Sequence, residues 1–133
     1  MKVLAIDYGT RTLGLAMWDS ALSFPLPKAP LRVRSDDEAI EALRAFVKAE
    51  SVDRLLVGLP SERDRGKSWI VRKAHAFGLR LETVTGVPVE FVPEAFTTRE
   101  AEALSPRPAG DDTVDSLASA RILEAWLASC PRA

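Results

Sequence analysis

Histidine and cysteine are almost missing from these 133 residues: there is one His, at position 75, and one Cys, at position 130. A single cysteine excludes an intrachain disulfide and a thiolate zinc site. A catalytic thiol at Cys130 would have only His75 as its base. The bland reading, a small residue near a frayed helix end, is preferred. His75 itself, between Ala74 and Ala76, is expected to be a partly buried helical residue. No apolar run reaches the roughly 18 residues that a membrane-spanning helix needs. The apolar run after Met1 is too short for a signal peptide, and Asp7 breaks it, so a cytoplasmic protein is expected. An excess of one charge is also lacking, since the net charge is −1. That is not the footprint of a protein that coats nucleic acid non-specifically, so any such contact must come from a local basic patch. There is no internal repeat and no low-complexity tract. The length suits one domain over residues 1–133.

What is present is enough apolar sequence for a core: hydrophobic residues make up 47% of the chain. Residues 2–8 and 13–18 read as strands joined by a turn at Gly9 to Thr12. Pro25, Pro27 and Pro30 mark a loop, and residues 31–34 a short edge strand. Ser35, followed three residues later by Glu38, is a capping-box start for a helix to about Glu50, with Ile40, Leu43 and Val47 on one face. Residues 53–60 form a fourth strand. A second helix over about 68–83 carries the stripe Ile70, Ala74, Phe77 and Leu81. Residues 87–92 form a fifth strand, 97–104 a short helix, and about 112–129 a final helix. Three hairpin-linked strands followed by β-α alternation predict an α/β fold: a mixed five-stranded sheet, strands 1, 4 and 5 parallel, with helices on both faces.

Ligand sites in such sheets gather at the carboxyl ends of the parallel strands. Asp7 ends the first strand and leads into Gly9, which permits a tight turn and a close ligand approach. An ionised carboxylate there is costly unless it is paired or binds something, so a metal ion or a phosphate is implied. Glu94 follows the fifth strand and is expected on the same edge. With strand four between them, their backbones stand roughly 10 Å apart, two strand spacings. Asp115 shares the stripe Ala118, Ile122 and Trp126 of the last helix, yet it also suits a helix cap. Both readings stay open on local sequence. Carboxylates without His or Cys partners favour hard cations, Mg2+ or Mn2+. Two such ions suit phosphodiester hydrolysis, and one suits nucleotide binding.

Four ordered segments carry a family resemblance. They are Asp7-Tyr8-Gly9-Thr10-Arg11-Thr12-Leu13-Gly14-Leu15-Ala16, Leu56-Val57-Gly58-Leu59-Pro60, Glu94-Ala95-Phe96-Thr97-Thr98 with Ala101, and Val114-Asp115-Ser116-Leu117-Ala118-Ser119-Ala120. Together they resemble the YqgF family, also called RuvX, a Holliday junction resolvase and pre-16S rRNA nuclease group with an RNase H-like fold. The resemblance spans nearly the whole chain. It implies that Asp7, Glu94 and Asp115 are the metal-binding catalytic triad. It also implies a nucleic-acid substrate, branched DNA or precursor rRNA, and a monomer or homodimer in the cytoplasm. The chain departs from the family at Ala95, where an Arg is usual, and between Ser105 and Thr113, where Arg107 is the only basic residue.

Other basic residues are placed to hold phosphates. Arg11 lies in the first turn, Arg63, Arg65 and Lys67 follow the fourth strand, and Arg72 and Lys73 begin the next helix. Glu62 and Asp64 interleave, so a solvated mixed-charge loop is the alternative. Trp69 either stacks on an unpaired base or covers the apolar flank of the second helix. Two further function classes remain. A nucleotide binder of the actin and sugar-kinase type shares the first motif but closes two domains on its ligand. A non-catalytic rRNA-maturation or nucleic-acid-binding module would keep the fold and fits the departures at Ala95 and the Ser105 to Thr113 loop.

Overall fold

A computed structural model describes residues 1–21, 26–59, 68–93 and 112–129; for residues 68, 112–118 and 129 it describes the backbone alone. The elements run β1 (Lys2–Asp7), β2 (Thr12–Asp19), β3 (Leu26–Arg32), α1 (Asp36–Glu50), β4 (Arg54–Leu59), α2 (Ser68–Thr85), β5 (Val89–Pro93) and α3 (Asp112–Ser129). The five strands form one sheet in the order β3-β2-β1-β4-β5. β1 is antiparallel to β2 and parallel to β4, and β4 is parallel to β5. The expected topology and strand directions are therefore present. The short helix expected over 97–104 lies outside the described residues.

Strand alternation divides the core between two faces. Leu4 and Ile6 pack with Leu55 and Val57 against Ile40, Leu43 and Val47 of α1 and Ala74, Phe77 and Leu81 of α2. Val3 and Ala5 pack with Ala16, Leu56 and Val92 against Ile122, Leu123 and Trp126 of α3. The predicted stripes of α1 and α2 are the ones that face the sheet.

β3 differs from expectation. It begins at Leu26 and takes in Pro27 and Pro30. Two prolines fit because β3 is an edge strand, where a missing N–H costs no inner ladder bond. The ladder also slips there: Leu13 pairs with Leu31 but Leu15 with Lys28, so β3 holds one extra residue at Ala29–Pro30. Val33 N–H then donates to Arg11 O at 2.9 Å.

The helix ends follow local chemistry. Ser35 Oγ accepts from Glu38 N at 3.2 Å at the start of α1. At its end Ser51 turns left-handed, φ 54°, and Val52 N–H returns to Val47 O at 3.1 Å. Both later helices run against the parallel strands. Glu82, late in α2, accepts from Val89 N–H, the start of β5, at 2.8 Å. Trp126, late in α3, donates its indole N–H to Glu90 near the start of β5. Arg54, at the start of β4, meets the same Glu90 at 3.4 Å and lies 5.9 Å from the Trp126 ring centre.

Candidate active site

Asp7 is the last residue of β1, half-buried at the carboxyl edge of the parallel strands. Alternation from Val3 and Ala5 assigns it to the face that α3 covers. Its register neighbours are glycines on both sides: Gly14 on β2 and Gly58 on β4. Gly58 in turn pairs with Val92, and Leu59 with Pro93. The residue after Pro93 is Glu94, which lies outside the described residues, as do Arg63, Arg65, Lys67, Arg107 and Cys130. Position 115 is in the first turn of α3, where the backbone alone is described.

The turn after Asp7 is tightly held. A β-carbon on Gly9 would stand 2.3 Å from the Thr12 carbonyl oxygen, so only glycine fits. Tyr8 is buried, its ring 4.9 Å from that of Phe77. Its hydroxyl donates to Asp36 Oδ1 at 2.8 Å, tying the turn to the first residue of α1. Burial, then the hydrogen bond and charge of Asp36, push the Tyr8 hydroxyl well above the ordinary tyrosine range. Sequence reasoning missed this tether, because the two partners are 28 residues apart.

The candidate phosphate-binding residues within the described part are exposed. Arg11 sits in the turn beside Asp7, and Arg72 and Lys73 in the second turn of α2. Trp69 is 51% exposed. His75 corrects its expectation. It is exposed rather than partly buried, with its ring stacked 4.5 Å from Phe91 at 18°.

The local chemistry suits a divalent cation. A carboxylate supplies hard oxygen ligands, and the register partners of Asp7 on both sides carry no side chain of their own. Among the described residues no three His, Cys, Asp or Glu side chains converge. Two of the three candidate carboxylates are outside that set.

The sequence of the RuvX family, described as Holliday junction resolvase, matches residues 1–129. The chain belongs to the RuvX family. It is a nuclease by that membership. A candidate pre-16S rRNA nuclease of Chromohalobacter salexigens is 37% identical over 132 residues, covering 95% of this chain and 88% of the relative. One of the same name from Nitratidesulfovibrio vulgaris is 34% identical over 134 residues, covering 96% and 94%. Among solved structures, Thermus thermophilus RuvC in complex with a Holliday junction substrate superposes with TM-score 0.64 over 98% of each chain, at 18% identity. RuvC from that organism, in a second structure, gives TM-score 0.54 over 96% and 95%, also at 18% identity. These likenesses establish the RNase H-like fold of this RuvX chain. No helix among its described residues is long and apolar enough to cross a membrane.

Proposed function

We propose that this RuvX chain hydrolyses phosphodiester bonds in structured nucleic acid, either Holliday-junction-like DNA or the 5′ end of precursor 16S rRNA. In this reading Asp7, Glu94 and Asp115 hold two divalent ions, Mg2+ or Mn2+. Such ions, once bound, activate water and stabilise the leaving oxygen. The observation that carries the reading is Asp7 at the carboxyl edge of β1, between Gly14 and Gly58.

Two features support the other carboxylates. Glu90 and Val92 both meet α3, and in the sequence Glu94 stands at the next two-residue interval. For Asp115, the eleven residues back from Trp126 correspond to about 16 Å of helix. Arg54 to Leu59 spans about the same length of strand. Since Trp126 meets Arg54 and Glu90, that length of α3 favours the Asp7 edge for position 115. Arg11, Arg72 and Lys73 then supply phosphate contacts that orient the strand, with Arg63, Arg65, Lys67 and Arg107 as further candidates.

The test is a panel of labelled four-way junctions, flaps, single strands and precursor rRNA with Mg2+ or Mn2+. Asp7→Asn is expected to lose at least about a hundredfold in cleavage rate, a few kcal/mol of transition-state stabilisation, while binding persists. Undiminished cleavage by Asp7→Asn would overturn the assignment.

A second reading, a nucleic-acid-binding accessory in rRNA maturation without cleavage, is favoured by Ala95 and by Arg107 standing alone in its segment. Structure-specific binding without cleavage at any Mn2+ concentration would select it.

A further inference from the structure

The α3 face of the sheet tapers toward Asp7. Three rows of register partners cross it. At the amino edge Val3 lies between Trp18 and Arg54. In the middle Ala5 lies between Ala16 and Leu56. At the carboxyl edge Asp7 lies between Gly14 and Gly58. Side chains flanking β1 on this face thus shrink from Trp and Arg, through Ala and Leu, to none.

We propose that Gly14 and Gly58 are specificity-determining residues: together they form a side-chain-free floor that admits a divalent cation and its phosphate oxygens beside Asp7. The inference rests on the reading of Asp7 as a metal ligand. Glycine weakens a strand interior, because it adds conformational entropy and packs nothing, so two in one row call for a reason. Neither lies in a turn. Both are buried, within β2 and β4. The neighbouring rows show that this face accepts side chains wherever α3 packs on apolar groups. A small, strongly hydrated cation needs room for several oxygen ligands at once. A methyl group on either flank of Asp7 would take part of that room.

A competing role is closer packing of α3, whose Ser119 and Ala120 are small and buried. The two roles separate experimentally. Gly14→Ala and Gly58→Ala are made singly, beside Asp7→Asn, in the full chain. Thermal unfolding is followed without metal, and Mn2+ binding is read by paramagnetic resonance.

The expected result is a metal-free melting temperature within about 3 °C of the parent for the glycine variants, a stability change of no more than about 1 kcal/mol. Their Mn2+ affinity falls at least tenfold, approaching that of Asp7→Asn. Gly58→Ser gives a second, slightly larger side chain and a further loss. A drop in melting temperature well beyond that limit in both alanine variants assigns the glycines to helix packing and overturns the inference. So does Mn2+ affinity retained in both alanine variants while Asp7→Asn loses it; the Asp7 reading then still stands. Retention of affinity in Asp7→Asn defeats the Asp7 reading itself, and this inference with it.

Discussion

At the scale of single residues, the turn after β1 is fixed by groups that carry no charge into the site. Gly9 is required by the approach of Thr12, and Tyr8 is pinned between Phe77 and Asp36. The Tyr8 hydroxyl donates to an acidic partner, so Tyr8→Phe should lower stability by about 1–2 kcal/mol at neutral pH, the usual range for such a bond. The pH dependence follows from the raised folded-state value. The contribution is fully present below the unfolded tyrosine value of about 10 and is lost as pH rises above it. Urea unfolding of parent and Tyr8→Phe at pH 7, 9 and 11 should therefore show a gap that holds to pH 9 and narrows by pH 11. A gap that widens at pH 11 contradicts the tether. Asp7 itself was legible in the sequence, as a carboxylate stranded beside a glycine turn. The Asp36 partner was not, since no local pattern links positions separated by both β2 and β3.

Elements were legible where one face repeats. The stripes of α1 and α2 have the period that burial demands and appear where expected, and Ser35 caps the start of α1. β3 was not legible at full length, because prolines read as loop unless the strand is known to lie at an edge, and edge position is a property of the whole sheet. The contact of α2 with β5 was equally hidden. Gly78 looks like a weak point in a helix, yet a β-carbon there would stand 2.5 Å from Phe91 Cε1 and 2.6 Å from its Cζ. The ring cannot swing aside freely, since His75 stacks on it. Alanine is the better helix former by about 1 kcal/mol. Overpacking of this kind costs about 1–3 kcal/mol. Gly78→Ala should therefore destabilise on balance, read as a lower melting temperature. A higher one would mean that Phe91 yields.

Across the whole molecule, the proposed acidic site and the basic residues of α2 share one edge of the sheet but not one face. Asp7 belongs to the face under α3, whereas Arg72 and Lys73 are carried by α2 on the other. The late part of α2 meets the start of β5, so its early turns, with Trp69, Arg72 and Lys73, approach the carboxyl edge. A substrate gripped by both must wrap that edge. The net charge of −1 leaves little general attraction for nucleic acid, so the local cations dominate the salt response. Each neutralised phosphate on a duplex adds about −0.9 to the slope of log affinity against log salt. Arg72→Ala combined with Lys73→Ala should therefore flatten that slope by nearly 2, if each residue holds one phosphate. The maximal cleavage rate at saturating substrate should stay close to the parent value, because neither residue lies on the face of Asp7. Filter binding from 50 to 200 mM salt, with single-turnover cleavage alongside, separates the two effects. An unchanged slope removes α2 from the nucleic-acid surface. A collapsed maximal rate instead brings its cations to the reacting phosphate, and then the substrate crosses the edge at the site itself.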